Sequence, residues 1–456
     1  MRFTLLLAGW LCAVNLMAQP KDSVYLLPQL GYGAHFEQQL IVEVPQGTQE
    51  LKVVYYPVEH SANKQEAIHN GPFDKPYNFV KITLAPLEMN TTYSYLVFLD
   101  GQQTTATEPQ QFTTRKLWEW REDAPEFSFL FGSCHYSNDA PYDRPGRPYG
   151  RGNYVISEMV EDTADFNLWA GDNIYLREVD WSSETGIYYR YHHFREDINV
   201  QRLLHKRPNF ATWDDHDFGP NNSNRAFQFK AAALEAFKAN WANPTFGLPD
   251  VPGVFGEFEW SDCDFFLLDN RYYRSPEWYA DSINGDWNPD KAYLGEAQLQ
   301  WLKDALANSR ASFKFIVSGS QVLNTAGRGE CFCHYKEEWS ELLRFIRDND
   351  VRGVVFLSGD RHMAEMLKVE NDDMYPLYEF TSSPISAGPF TSITERDEFN
   401  NPLRVEGTLY PDLNYMRLSV AGERRARVLT VELKDQEGQV VWTQQIHQQD
   451  LRLPRE

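Results

Sequence analysis

Four short segments of the chain combine thiol, phenol, carboxyl and imidazole side chains in patterns that suit metal chemistry. Carboxylates that converge must take up protons or share a cation. An aspartate that two ions share is the usual bridge of a binuclear site. The four segments together predict such a binuclear centre. They are FGSC with Cys134, GDNIY with Asp172 and Tyr175, WDDHD with Asp214, Asp215 and His216, and SGDRH with Asp360 and His362.

The side-chain types also indicate which ions the centre takes. Carboxylate oxygens suit hard cations such as Ca²⁺, Mg²⁺, Mn²⁺ and Fe³⁺. A phenolate and a thiolate need a strongly charged metal to stay deprotonated, so Tyr175 and Cys134 together favour ferric iron. Asn221 and Asn222 offer amide oxygens to a Ca²⁺ ion, or they form only a turn.

The elements around these segments alternate between short apolar runs and amphipathic stretches. FSFLFG, FNLWAG, FATW and VVFLSG read as buried strands. In YKEEWSELLRFIRD, Trp339, Leu342, Leu343 and Ile346 fall at helical spacing. Strands that alternate with helices predict a layered α/β fold, with a sheet that is covered on both faces. Ligands in such folds bind where the strands end, which is where the candidate residues lie.

The chain divides into regions of different pattern. Residues 1–18 read as a signal peptide, 20–115 as a fibronectin-like β-sandwich, 116–126 as a linker, and 127–450 as a catalytic domain with a β-rich C-terminal end. Within the sandwich, Tyr93 is the expected tyrosine corner. The stretch from Tyr415 to Ile446 predicts a hairpin or meander that extends the sheet, with Gly438 in a turn.

Composition and the N-terminus limit the classes of partner. The 456 residues include 43 basic and 65 acidic side chains, for a net charge of −22, which argues against a nucleic-acid or anionic-membrane surface. Beyond the signal peptide no window is long and apolar enough to span a bilayer. We therefore expect an exported protein, periplasmic or extracellular, without a membrane span in its mature form. The oligomeric state stays open.

Four cysteines follow the predicted signal peptide. If Cys134 binds a metal, at most one disulfide can form among the other three. A bridge between Cys331 and Cys333 would be strained. We expect one of these two to pair with Cys263, or both to remain thiols.

Taken in order, the motifs resemble those of one known family. FGSC, GDxxY, WDDH, LDxRxYR (here LDNRYYR) and SGDxH are similar to the set of the PhoD-like alkaline phosphatases and phosphodiesterases, within the calcineurin-like metallophosphoesterases. GDNIY also resembles the GDxxY motif of purple acid phosphatases, whose tyrosine binds Fe³⁺. The resemblance covers residues 20 to 445. It implies a metallophosphoesterase-type β-sheet core flanked by helices.

The resemblance also implies roles for individual residues. Cys134 and Tyr175 would bind iron, and Asp172 would bridge iron and a second ion, Ca²⁺ or another divalent metal. Asp215, with Asn222, would lie on the second metal, and the neighbouring Asp214 is the alternative ligand. The resemblance further implies that His216 contacts the phosphoryl group. Asp360 and His362 would stand where relatives have the GHxH motif, and His362 would be either a metal ligand or a phosphate contact.

Arginines near these motifs have two readings each. Arg271 in LDNRYYR is a candidate phosphate-binding residue, because the guanidinium fork matches phosphate geometry. The alternative is a buried ion pair between Asp269 and Arg271. The loop RPGRPYGRGNY carries Arg144, Arg147 and Arg151, and it either rims the cleft or is an ordinary solvated loop.

The expected function is hydrolysis of small-molecule phosphate esters by metal-activated water attack on phosphorus. His216 or His362 would give the leaving group its proton. One alternative is phosphodiesterase or phospholipase D-like activity on diesters. A second is a non-catalytic exported binding protein with a degenerate metal domain, against which the intact ligand set argues.

Overall fold

The computed structural model describes residues 27–104, 110–327 and 329–452. The predicted signal peptide at 1–18 lies outside the described residues. In the ranges that the structure describes, no helix has the length and apolar character needed to cross a membrane.

The described residues before Thr114 form two antiparallel sheets. One sheet has the order β1-β2-β5, and the other has the order β4-β3-β6-β7, with β8 paired to β6. Their facing side chains form one apolar core that includes Leu40, Val53 and Tyr95. The strands are β1 Gln29–Gly33, β2 Gln38–Val44, β3 Glu50–Pro57, β4 Gln65–Asn70, β5 Asn78–Leu84, β6 Thr92–Leu99, β7 Gln102–Gln103 and β8 Gln110–Thr113.

Tyr93 ties this pair of sheets together at one corner. Its buried hydroxyl accepts a hydrogen bond of 2.8 Å from the backbone N–H of Glu88, five residues upstream. A tyrosine that bonds back to the upstream backbone is the tyrosine corner of fibronectin-like sandwiches. The prediction for Tyr93 is confirmed.

The rest of the chain alternates strands and helices as the sequence predicts. The strands are β9 Phe127–Gly132, β10 Phe166–Ala170, β11 Asn209–Thr212, β12 Gly256–Trp260, β13 Cys263–Leu267, β14 Ser282–Ile283, β15 Asp286–Trp287, β16 Phe313–Ser318, β17 Val354–Ser358, β18 Glu365–Asn371, β19 Met374–Thr381, β20 Asn414–Ala421, β21 Val428–Asp435 and β22 Val440–His447. The helices are α1 Tyr154–Glu161, α2 Glu184–Glu196, α3 Ile198–Lys206, α4 Asp215–Phe218, α5 Lys230–Asn240, α6 Glu296–Asn308 and α7 Lys336–Asp348.

Two six-stranded sheets, rather than one, make the core of this region. The first has the order β11-β10-β9-β20-β21-β22, and the second has the order β12-β13-β16-β17-β19-β18. β9, β10 and β11 run parallel in the first sheet, as do β13, β16, β17 and β19 in the second. The layered α/β class is confirmed, and the expectation of a single sheet is corrected.

Phenylalanines join the two sheets. Phe129 of β9 meets Phe265 of β13 and Phe315 of β16 nearly edge to face, with ring centroids 5.3 and 5.5 Å apart. Leu130, the next residue of β9, lies in the separate cluster that the helices α1, α2, α3 and α5 form on the outer face. Both faces of the strand are therefore apolar, which explains why the sequence does not reveal what covers each one.

Helices α6 and α7 pack on the second sheet. In α7, Leu342 and Ile346 are fully buried, and Trp339 and Leu343 are partly buried against the same core. β20, β21 and β22 form the predicted meander beside β9, and Gly438 turns the chain between the last two strands at φ 72°. Helices thus pack on the outer face of each sheet, and the loops lie at the ends of the strands.

The sheet-to-sheet contact predicts a stability effect. Phe129→Ala should lower the free energy of unfolding by about 3–5 kcal/mol, because it removes a buried ring from the centre of the core. Denaturant unfolding of the variant measures this. Trp120→Ala is the control, since Trp120 is 93% exposed and its loss should change stability by less than about 0.5 kcal/mol. A matching small effect at Phe129 would contradict the role assigned to this contact.

Candidate metal centre

The loops after four parallel strands meet at one edge of the two sheets. Cys134 follows β9, Asp172 follows β10, Asp215 follows β11 and His362 follows β17. Glycine lets these loops approach closely: a Cβ at Gly359 would lie 2.4 Å from the Ser133 hydroxyl oxygen. The topology therefore brings together side chains that are more than 200 residues apart.

The backbone at these positions is strained. Cys134, Asp172, Asp360 and His362 have φ angles of 59°, 51°, 68° and 53°. Residues other than glycine rarely adopt this left-handed region, and each such residue costs on the order of 1–3 kcal/mol. The surrounding packing must impose it, and strain of this kind clusters at functional sites. The surrounding fold thus fixes the backbone conformation that positions these four side chains.

Two groups of possible metal-ligand atoms lie at this edge. Cys134, Asp172 and His362 form one group, and Asp172, Asp215 and His216 form the other. Within each group the ligand atoms all lie within 4.8 Å of one another. Asp172 belongs to both groups, which is the arrangement of a carboxylate that bridges two ions.

Tyr175 lies against both groups. Its hydroxyl is 3.0 Å from Nε2 of His362, and its ring stacks on the imidazole of His216 with centroids 4.2 Å apart. Nδ1 of His362 donates to the carbonyl oxygen of Gly388 at 2.6 Å. Because that carbonyl can only accept, the proton is on Nδ1 and Nε2 keeps its lone pair for a ligand.

Burial raises the pKa values of several acidic groups in the site. Burial, followed by the nearby Asp215, raises the pKa of Asp172 well above its usual value. Burial raises the pKa of the Cys134 thiol to about 12 and, with the neighbouring Asp214, raises the pKa of Asp360 to about 8. Burial and Asp172 raise the pKa of Tyr175 as well. A cation among these groups would favour their charged forms.

Buried polar atoms without hydrogen-bond partners are a second observation that fits a bound cation. Among the residues that the structure describes, Oδ1 of Asp215 and Nδ1 of His216 are buried without a hydrogen-bond partner. Leaving such a group unsatisfied costs about 1–3 kcal/mol, so native structures usually satisfy it. The donor set of thiol, phenol, carboxylates and imidazoles also suits a metal. These residues therefore match two neighbouring cations.

Asp215 differs from its neighbours because its charge has partners. Burial acts to raise its pKa, but His216 and Arg271 offset burial and hold the pKa well below the usual range. The backbone N–H of Asn222 adds a hydrogen bond of 2.5 Å to Oδ2 of Asp215. Asn222 thus meets the site through its backbone, while its exposed side-chain oxygen accepts from Asn221.

Asp214 belongs to neither group formed by the described residues and instead forms a buried ion pair. Its Oδ1 accepts from Nε of Arg271 at 2.6 Å and from the amide of Asn270 at 2.7 Å. Nη2 of Arg271 lies 2.7 Å from Oε2 of Glu330, and the Arg271 side chain is fully buried. The geometry therefore favours the ion-pair alternative over phosphate binding for Arg271, and it corrects the expected partner from Asp269 to Asp214.

Two further groups support the loops. Asp217 accepts from the backbone N–H of Asn173 at 3.1 Å and of Asp214 at 3.0 Å, and so joins the loops after β10 and β11. Asp269 accepts from the indole N–H of Trp213 at 2.7 Å. Asp360 belongs to neither of the two groups formed by the described residues, although it was expected as a ligand.

The cysteines outside the site remain thiols. Cys263, Cys331 and Cys333 are buried and free in the described chain. The backbone N–H of Cys333 donates to Sγ of Cys331 at 3.3 Å. Of the two expectations, the one without a disulfide is confirmed.

Glu330, which precedes Cys331, belongs to the ion-pair network of Arg271. The sequence around Glu330 matches no motif, so sequence reasoning could not indicate this role.

The chain resembles known phosphatases in sequence. The family model of the PhoD-like phosphatases matches residues 131–436, which include Cys134, Asp172, Asp215 and His362. The chain belongs to the PhoD-like phosphatase family. It is 26% identical over 361 residues to alkaline phosphatase D of Bacillus subtilis (strain 168), an alignment that covers 68% of this chain and 57% of that protein. The chain thus spans somewhat over half the length of this relative.

Solved structures share the fold. A structure of PhoD superposes with a TM-score of 0.71 at 18% identity, covering 94% of this chain and 93% of the other. A purple acid phosphatase from yellow lupin (Lupinus luteus) seeds gives a TM-score of 0.66 at 12% identity, with 93% and 75% covered. The relation to PhoD that the motifs suggested is confirmed at the level of family and fold, and the relation to purple acid phosphatases is confirmed at the level of fold.

The Arg271 network predicts a stability effect rather than an affinity effect. Arg271→Met should lower the free energy of unfolding by about 3–5 kcal/mol, because it leaves Asp214 buried without its charged partner. Arg147→Ala, at an exposed arginine of the neighbouring loop, should change it by less than about 0.5 kcal/mol. Denaturant unfolding compares the two. Unchanged stability of Arg271→Met together with weaker phosphate binding would restore Arg271 as a substrate contact.

Proposed function

We propose that the protein is an exported metal-dependent phosphoesterase that hydrolyses phosphate esters. The observation that carries the proposal is the position of Asp172 in both groups of ligand atoms. Family membership and the name of the Bacillus relative support hydrolysis of phosphate esters. Export rests on the predicted signal peptide at residues 1–18.

Each group takes one cation in this proposal. Cys134, Tyr175 and His362 hold Fe³⁺, Asp215 holds Ca²⁺ or another divalent metal, and Asp172 is shared. A thiol and a phenol with strongly raised pKa values need the more highly charged ion. Neither Asp360 nor the side chain of Asn222 is required in this set. Two cations held there would bind phosphate oxygens and lower the pKa of the attacking water.

The residues of the chain orient the reaction around these positions. His216 lies beside Asp172 and Asp215 and also lines an open cleft, so it can contact a phosphoryl oxygen or the leaving group. The stacked ring of Tyr175 limits rotation of this imidazole. The backbone N–H of His216 donates to Oδ1 of Asp172 at 3.1 Å, which fixes the distance between them. Proton transfer to the leaving group is therefore the role we assign to His216.

Hydrolysis of diesters is the second candidate. Two clefts, of about 550 and 360 Å³, meet at Tyr149. One includes Tyr175 and His216 in its lining, and the other includes Asp360 and His362. A phosphate at the metal centre would have room for an ester group on either side, which a diester needs and a monoester does not.

Asp172→Asn tests the shared ligand. The variant should lose both cations and turnover, because the neutral amide keeps the shape of the side chain but not its charge. Metal content by plasma mass spectrometry and hydrolysis of p-nitrophenyl phosphate and its bis ester give the readout, and the ratio of the two rates separates monoesterase from diesterase. Asp372→Asn, in an exposed turn, is the control. Full turnover in Asp172→Asn would remove the bridging assignment.

Tyr175→Phe tests the iron assignment separately. Phenolate and thiolate ligands of ferric iron both absorb visible light by charge transfer, so the native protein should be coloured. Tyr175→Phe should lose the phenolate band and keep the absorption that comes from the Cys134 thiolate. Tyr154→Phe, whose parent side chain is 63% exposed, should keep both. A colourless native protein, or a visible spectrum that is unchanged in Tyr175→Phe, would exclude a phenolate–iron bond.

A further inference from the structure

The larger cleft beside the metal centre has aromatic walls. It holds about 550 Å³, and its lining includes Tyr175 and His216 together with Tyr142 and Trp181. The loop that contains Arg144 and Arg147 forms part of its rim. This arginine loop therefore does rim the cleft, which is one of the two readings of its sequence.

Packing holds the aromatic walls in place. The ring of Tyr136 meets Tyr149 edge to face at 4.9 Å and lies 5.0 Å from Tyr175. The guanidinium of Arg177 lies over the Tyr136 ring at 4.4 Å and donates through Nε to its hydroxyl at 2.9 Å. Asp143 pairs with the same guanidinium at 3.2 Å. A wall fixed in this way loses little conformational entropy when a ligand binds.

Parts of the aromatic side chains are free to contact a ligand. Tyr142 and Tyr149 are 44% and 45% exposed, although both line a concave surface. Large aromatic side chains in such a place offer flat apolar faces beside polar hydroxyls. The rim arginines add planar cations that stack on aromatic rings and donate hydrogen bonds. A planar ring with hydrogen-bond acceptors matches this lining better than an alkyl chain does.

We infer that this cleft is a subsite for the nucleobase of a nucleoside phosphate ester. Tyr175 and His216 line the cleft and also belong to the metal centre, so a phosphate at the metals would place the attached group in the cleft. The inference rests on the proposed function for the position of the phosphate. It adds the chemical class of the group that the ester carries.

Two substrates that differ only in the base test the subsite. Adenosine 5′-monophosphate and ribose 5-phosphate release the same primary hydroxyl, so their chemistry at phosphorus is matched. The metal-loaded native enzyme should show a kcat/KM at least about tenfold higher for the nucleotide, which is the size of one base–aromatic stack. The difference should lie in KM, because the base is remote from the reacting atoms.

Variants of the cleft should remove this preference alone. In Tyr142→Ala and Trp181→Ala the ratio should fall to within about threefold of one, through a lower kcat/KM for the nucleotide. Trp181→Phe keeps a ring and should keep most of the preference, and Trp120→Ala is the control at an exposed tryptophan of the linker. The thermal midpoint of each variant is measured, and Tyr142→Ala removes an exposed side chain if Trp181→Ala proves unstable.

The outcomes separate the subsite from the chemistry. Equal kcat/KM for both substrates in the native enzyme, or a preference that survives in both alanine variants, would overturn the subsite while leaving the phosphoesterase intact. If no phosphate ester is hydrolysed at all, the proposed function fails. Calorimetric binding of adenosine that both alanine variants lose would still support the subsite in that case, and absence of binding to the native protein would overturn it.

Discussion

The structure depends on one electrostatic constraint, the burial of several acidic groups at the ends of neighbouring parallel strands. Asp172, Asp214 and Asp215 are each at most 3% exposed. Charged carboxylates in such a place repel one another and lose hydration, which costs more than packing alone repays. The fold tolerates them because each has a source of positive charge. For Asp214 the source is Arg271, and Asp215 has His216 and Arg271 nearby. For Asp172, together with Asp215, it is the pair of cations that we propose.

The packing of the two sheets brings these acidic groups together and also keeps them in place. Gly319, after β16 of one sheet, lies so close to the loop after β11 of the other that a Cβ there would be 2.6 Å from Cγ of Asp214. Phe129 and its aromatic neighbours fix the distance between the sheets. The left-handed backbone at Cys134 and Asp172 persists because these contacts over-determine it. The rigid core between the two sheets thus preorganises the side chains at the strand ends.

Much of this organisation is visible in the sequence, because it follows from local patterns. The strands before Cys134, Asp172 and Asp214, the helix from Lys336 and the corner at Tyr93 all come from periodicity or from a short motif. The pairing of the sheets does not, since strands apolar on both faces do not show what covers each face. The choice of Asp214 as the partner of Arg271, 57 residues away, depends on tertiary contact, as does the part that Glu330 plays. Adjacent aspartates with different roles look alike in a sequence.

The same division explains the chemistry proposed for the site. Arg271 bonds directly to Asp214 of WDDHD, whereas Asp215 and Asp172 are the carboxylates that we propose as metal ligands. Anomalous X-ray diffraction from crystals of the metal-loaded protein tests this claim most directly. The account predicts two anomalous peaks that are both within bonding distance of the Asp172 carboxylate, one also beside Cys134 and Tyr175 and the other beside Asp215. A single peak, or a pair of peaks of which one does not contact Asp172, would contradict it.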